Sequence, residues 1–326
     1  MSRLISTLST CVLSHGVCAA TLHVPADYSS IQDAIDAAST EDEVILAPGT
    51  YFESFAFKAD PVIVRSAAGP EVTILEGTTN QTYALAFFNL GTSGTLEGLT
   101  LRNYEHPYTG AVTIKNAHAS IVDCIFENNQ NAFSGSAIRI ESWDLGESGQ
   151  TEVIGCTFRG NESSEFGGAV SALLLEGESI LVSECIFEDN TSERGGHLAI
   201  NAHGPDGTVT VDACTFRNGH GDVPGVFLTN DLGTEGDREV TFVNCDFEDH
   251  PHMGIQANGK MVLTLVDSNF VNTGTPAVQL LPPSHAMLSG NTFCGSSVPV
   301  SGQWTDLGDN SFENTCACPG DGNGDQ

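Results

Sequence analysis

The sequence predicts an all-β solenoid of short parallel strands, and three observations lead there. The tripeptide Cys-x-Phe occurs five times, at Cys124–Phe126, Cys156–Phe158, Cys185–Phe187, Cys214–Phe216 and Cys245–Phe247, with successive cysteines 29–32 residues apart. An apolar residue stands three positions before each cysteine: Ile121, Val153, Val182, Val211 and Phe242. The same frame recurs without cysteine at Leu96–Leu101, Leu265–Phe270, Leu288–Phe293 and Leu307–Phe312, nine units in all. Internal repeats of roughly 20–50 residues mark stacked units, each burying its apolar face against its neighbours.

Within a unit, residues alternate with the period of a strand. Cys and Phe fall on one face and the residue between them on the other, so Ile125, Thr157, Ile186, Thr215 and Asp246 form an outer row. Two positions separate each cysteine from the preceding apolar residue. Alternation breaks there and the chain bends, which suits the turn formers Asp123, Gly155 and Asn244. A second strand often follows a glycine, as in Gly110–Ile114, Gly135–Ile140, Gly168–Val170 and Gly254–Ile255. Stacking such coils about 4.8 Å apart places like residues above like. The pattern, over residues 90–312, resembles a right-handed single-stranded parallel β-helix of about 10–11 coils.

The preceding segment strengthens the resemblance. Ile31, Ala34, Ile35 and Ala38 share one helical face, and Ser29 or Ser30 is placed to cap a helix over 29–38. Gly49, Tyr51 and Glu53 then begin the stack. A helix followed by such a strand is similar to the opening of secreted β-helices of the pectin-lyase-like superfamily, where the helix covers an open sheet end. The β-helix domain is assigned to 21–312. Residues 1–20, with Arg3, an apolar run and a small-residue end, read as a signal peptide.

Acidic residues number 42 against 11 Lys plus Arg, a net charge of −31. That balance argues against nucleic acid, whose phosphates need Lys and Arg, and it favours divalent cations. Membrane insertion is not expected. The ladder cysteines lie too far apart for zinc spacing, and in-register side chains run parallel rather than toward one another. They read as buried, reduced thiols packing as small apolar residues. Cys294 is expected to bridge to Cys316 or Cys318.

The superfamily includes lyases, glycoside hydrolases, esterases and non-enzymes, so its fold does not give an activity. Gly219-His220-Gly221 and Arg139-Ile140-Glu141 resemble polygalacturonase motifs, but in reversed order and without an Asp-Asp pair. The resemblance implies an extracellular polysaccharide as partner, whether bound or processed; the alternative is a structural or adhesive solenoid. The candidate substrate-binding residues are Glu193, Arg194, His220, Asp222, His250 and His252, in loops of successive coils, with Trp143 placed to stack on a sugar ring. Loops 141–150, 201–208 and 229–239 are candidate groove walls, whereas Asn129, Asn161 and Asn190 read as turn formers. In the acidic tail, 313–326, Asp321, Asn323 and Asp325 match positions 1, 3 and 5 of a Ca2+ loop and resemble the opening of a dockerin repeat. Gln326 stands where the loop glycine belongs. In a longer module, that resemblance implies a cohesin-like partner.

Overall fold

A computed structural model describes residues 19–78, 84–89, 91–142, 149–175, 177–204, 206–219, 223–230 and 236–316. The chain forms four parallel sheets, of twelve, eleven, ten and three strands, wound as a right-handed parallel β-helix. The coil His118–Val122, Ile125–Glu127, Gln130–Asn131, Ile138–Glu141 contributes one strand to the twelve-, eleven-, three- and ten-stranded sheets in turn. The expected leader, 1–20, falls almost wholly outside the described residues, which open with the strand Thr21–Val24. Among the described residues, no helix is long and apolar enough to cross a membrane.

The N-terminal end is closed by the helix Ile31–Ala37, whose Ser30 cap accepts from Asp33 N at 3.1 Å. Its face of Ile31, Ala34 and Ile35, continued by Ala38, is buried on the first strands. The Gly-x-Tyr-x-Glu segment ties this cap down. Tyr51 Oη donates to Ala47 O at 2.7 Å, and Glu53 accepts from Ile31 N at 3.0 Å.

Two bends per coil flank the short strand of the eleven-stranded sheet. Asp123, Gly155, Glu184, Ala213, Asn244, Asp267 and Gly290 turn the chain into it with φ of 49–70°. Asn128, Gly160, Asp189, Asn218, Asp249, Asn272 and Gly295 turn it out with φ of 52–81°. Asp, Asn and Gly tolerate this left-handed region. Glu184 and Ala213 adopt it because strands on both sides of the bend are held in register by neighbouring coils.

The inward face of that sheet is an aromatic column. Phe126, Phe158, Phe187, Phe216, Phe247, Phe270, Phe293 and Phe312 stack in register, with centroid separations of 4.5–5.4 Å and interplanar angles of 1–12°. Cys124, Cys156, Cys185, Cys214 and Cys245 are buried and free. Each thiol lies within donating distance of the carbonyl two residues before it, at 3.2–3.4 Å, and of a carbonyl of the preceding coil (Leu96, Ile121, Val153, Val182 and Val211), at 3.4–3.7 Å. In the last coils, Asn291 and Asn310 amides make the equivalent bonds, to Leu265 O and Leu288 O, at 2.8 and 2.9 Å. The cysteines thus fill a polar corner as weak donors as well as small apolar bodies. Burial, then the neighbouring thiols, pushes Cys156 well above its ordinary pKa.

A second ladder closes the next corner. Asn129 and Asn161 each donate to the Asn Oδ1 of the following coil at 2.9 Å, and Asn129, Asn161 and Asn190 donate to Leu101, Phe126 and Phe158 carbonyls at 3.0–3.1 Å. On the outer face, Glu76, Arg102, Glu127, Arg159, Glu188, Arg217 and Glu248 share one register. Ion pairs form at Arg102–Glu76 (2.7 Å), Arg159–Glu127 (2.7 Å) and Arg217–Glu188 (3.2 Å). Partly exposed pairs contribute under about 1 kcal/mol each.

One expected unit shifts. The final bend holds an extra residue, so Asp306 rather than Leu307 pairs with Leu288, and Leu307 is 58% exposed. Nearby, Cys294 is bridged to Cys316, which resolves the choice of partner. Replacing Cys316 with serine is expected to lower unfolding free energy by about 2 kcal/mol. That is near the low end of the usual range because the bridge fastens only a terminal coil, which can fray by itself. Urea denaturation followed by circular dichroism checks the loss, and hydrogen exchange should locate it in 292–316.

Candidate functional site

The outer face of the ten-stranded sheet is hollowed into a trough. Its strands Ile138–Glu141, Val170–Leu174, Leu198–Ala202, Val226–Asn230 and Ile255–Gly259 point Ile, Val, Leu and Ala inward. Register stacks the outward positions into two rows: Arg139, Ser171, Ala199, Phe227, Gln256, and Glu141, Leu173, Asn201, Thr229, Asn258.

A wall rises beside the first row because each chain turns sharply before entering its strand. Gly135, Gly167 and Gly195 make that turn at φ 57–68°, and a Cβ on Gly167 would lie 2.0 Å from Val170 O. The turns set Ser134, Phe166 and Arg194 in parallel bridges. The Arg139 guanidinium lies over the Phe133 ring at 5.1 Å, that of Arg194 over Phe166 at 5.0 Å, and Phe166 meets Phe227 at 6.3 Å. Cation–π contacts of this kind contribute about 0.5–1 kcal/mol at exposed sites.

The wall and the two rows enclose a cleft of about 300 Å³ floored by Ser171, Ala199, Asn201 and Thr229. A second cleft, of about 380 Å³, is lined by Glu193, Arg194, Pro224, Met253, Gln256 and Asn258 and meets the first at Phe227. Five strands at about 4.8 Å spacing make a trough about 19 Å long. Glu141 is buried in it, ion-paired with Arg139 and 3.5 Å from Lys115. Asn201 Oδ1, Thr229 Oγ1 and Asn258 Oδ1 are stacked on its floor, buried and without hydrogen-bond partners among the described residues. Arg139 Nε is in the same condition. Buried polar atoms are normally satisfied, so a row of such atoms in side chains that line a cleft is one that side-chain rotation can turn to a ligand's polar groups.

Of the sequence-derived candidates, Glu193 and Arg194 are exposed and line the trough. His252 is half-buried in the turn Pro251–Met253, its carbonyl accepting from Gly274 N. His250 lies inside the solenoid, 1% exposed, away from any surface groove. It occupies the asparagine-ladder position one coil beyond Gly219, and its Nε2–H donates to Phe216 O at 3.1 Å, as the ladder amides do. Its ring fills the space left by Gly219, where a Cβ would lie 2.6 Å from Nδ1. It also packs edge-on to His197 at 5.2 Å. Burial depresses the His250 pKa to about 4. Trp143, His220, Asp222, Asp321, Asn323 and Asp325 lie outside the described residues.

The loops proposed as groove walls begin at Glu141, Asn201 and Thr229, which line the cleft, while Asp206–Thr208 and Gly236–Asp237 farther along are exposed. Arg238, fully buried, donates to Glu178 O at 2.6 Å, to Gly204 O at 3.5 Å and to Asp206 O. The wall that does border the trough comes from the opposite side of the sheet. Sequence reading reached Asn201 and Thr229 only as the first residues of the candidate loops 201–208 and 229–239, and missed Asn258. Their period-two placement after the glycine-led turns was legible, but their lack of partners depends on neighbours distant in sequence.

No family model matches the chain, and no curated protein matches its sequence. Solved structures share its architecture, which makes it a protein of the parallel β-helix class. Pectate lyase Pel9A superposes with a TM-score of 0.57 at 12% identity, covering 93% of this chain and 83% of the other. ORF18 of Geobacillus virus E2 gives 0.56 at 14% identity, with 90% and 61% covered. The tailspike gp49 of Acinetobacter baumannii bacteriophage Fri1, a capsular polysaccharide depolymerase, gives 0.50 at 12%, with 92% and 62% covered. The chain therefore spans less than two thirds of the length of the two viral proteins. At these identities the likeness establishes the fold.

Proposed function

We propose that the trough binds an extracellular glycan chain, with Phe133, Phe166 and Phe227 as its apolar wall and Asn201, Thr229 and Asn258 as its polar floor. The stacked, unpartnered floor atoms carry this reading. Left unsatisfied, each costs stability; sugar hydroxyls can donate to the Asn201 and Asn258 oxygens and either donate to or accept from the Thr229 hydroxyl. The polysaccharide chemistry named for Pel9A and gp49 on the same fold supports the choice of ligand class. Binding is favoured over two-carboxylate hydrolysis, which needs an opposed acid and base. Of the two carboxylates among the described residues lining the trough, Glu141 in the first cleft is already engaged by Arg139 and Lys115, and Glu193 lies in the second cleft.

Thr229→Val separates ligand binding from stability. Removing the hydroxyl while keeping the shape is expected to leave the thermal midpoint unchanged or raised. Glycan affinity should fall about tenfold, the equivalent of one hydrogen bond of about 1.4 kcal/mol. Titration calorimetry against pectate, alginate, chondroitin and neutral oligosaccharides, with and without Ca2+, provides the measurement. Equal affinity in wild type and variant would refute the assignment. New reducing ends or unsaturated products would instead establish cleavage.

A further inference from the structure

On the other side of the Phe133 loop lies a separate cleft of about 380 Å³, lined by Glu105, His106, Gln130 and Glu162. Its floor is the three-stranded sheet, in which Glu105, Gln130 and Glu162 form one outward row; in the next register row Asn131 and Ser163 are buried, while His106 is half-buried and lines the cleft. The residues of this row close the turns that follow. Asn131 Oδ1 accepts from Phe133 N at 2.6 Å, and Ser163 Oγ donates to Phe166 O at 3.0 Å. His106 closes its own turn through Nδ1, which accepts from Tyr108 N and Thr109 N, both at 3.1 Å, and from Thr109 Oγ1 at 2.9 Å. Tyr104 Oη, 2.6 Å from Thr109 Oγ1, completes the network.

Two backbone donors on Nδ1 fix the tautomer: the ring proton sits on Nε2. With its only lone pair occupied, the imidazole can neither ligate a metal nor act as a base through Nε2. It can only donate. Nε2 has no hydrogen-bond partner among the described residues, and the ring is half-buried at the cleft. Asparagine and serine close the same turn in the next two coils, so histidine supplies one donor more than the turn requires. Burial also lowers its pKa.

We infer that this cleft is a second saccharide site, independent of the trough, in which His106 Nε2–H and the Gln130 amide donate to an uncharged sugar while Glu105 and Glu162 accept from its hydroxyls. The two carboxylates repel uronates and sulfated sugars. The exposed Tyr108 ring, 6.3 Å from that of His106, offers an apolar surface beside it.

The variant to use is His106→Asn, because asparagine closes the equivalent turn one coil later, and there its amide N–H groups turn to backbone carbonyls and its shorter side chain does not reach the position of Nε2. Full-chain protein would be titrated with maltohexaose, cellohexaose, laminarihexaose and polygalacturonate. Wild type is expected to bind a neutral hexaose in preference to polygalacturonate at this site. His106→Asn is expected to weaken that binding at least tenfold with no change in thermal midpoint. In 15N spectra, the wild-type ring should show the Nε2–H tautomer, and its signals should shift on adding the neutral hexaose. If His106→Asn binds as wild type does and Thr229→Val does not, this second site is wrong and the trough stands. The opposite result removes the trough and keeps the His106 site. No binding of any neutral hexaose, or preference for polygalacturonate in the His106 signals, overturns the inference.

Discussion

Replacing Phe187 with alanine is expected to lower unfolding free energy by about 3–5 kcal/mol, among the largest losses available from one side chain. The ring is fully buried between those of Phe158, at 4.7 Å, and Phe216, at 4.8 Å. Truncation removes the transfer free energy of the ring and opens a cavity in the middle of the column. That cavity cannot collapse easily, because backbone pairing to the coils on both sides fixes the rungs. It also removes two offset-stacked contacts, each worth about 0.5–1.5 kcal/mol beyond area. Phe312→Ala, at the exposed end of the column, should cost much less, since its ring is 45% exposed. Urea denaturation of the two variants provides the test. Equal losses would show that position along the column does not matter and that stacking on both faces is not what stabilises the centre.

The second large effect is on pH dependence. His250 has an ordinary pKa of 6.5, and burial lowers it in the folded protein to about 4, against the opposing pull of its bond to Phe216 O and of Asp249. Between these values the unfolded chain binds a proton that the folded chain does not. The stabilisation is therefore complete above pH 6.5 and is lost as pH falls toward 4, reaching about 3 kcal/mol. His197, edge-on at 5.2 Å in the same interior space, would lie beside the new charge. The many surface carboxylates titrate in part of the same window, so the variant His250→Asn is needed as reference. Its amide can donate to Phe216 O as Asn190 donates to Phe158 O. Stability measured from pH 7 to 4 should fall more steeply in wild type by about 3 kcal/mol. Parallel profiles would show that another group carries the acid sensitivity.

The solenoid was legible in the repeat alone. A repeat of apolar, bend, Cys-x-Phe can be satisfied only by stacking like on like, because each coil alone leaves its inward face exposed. From this followed the phenylalanine column, the left-handed bends at Asp123, Gly155 and Asn244, and the buried free thiols. The helix cap was legible as well, since Ser30 and the Ile31–Ala38 stripe are local signals. Local pattern could not place His250, whose spacing after Phe247 matches a loop histidine as well as a ladder rung. Only Gly219 in the coil before it shows that the ring turns inward. The shift at Leu307 likewise came from one extra residue in a bend, which flips a side chain from core to surface. The trough and the His106 cleft required the tertiary structure for a related reason. Their residues are ordinary polar positions on alternating strands, and what distinguishes them is which atoms find partners. That is decided by contacts between coils about thirty residues apart, and by walls built from the turns of neighbouring repeats.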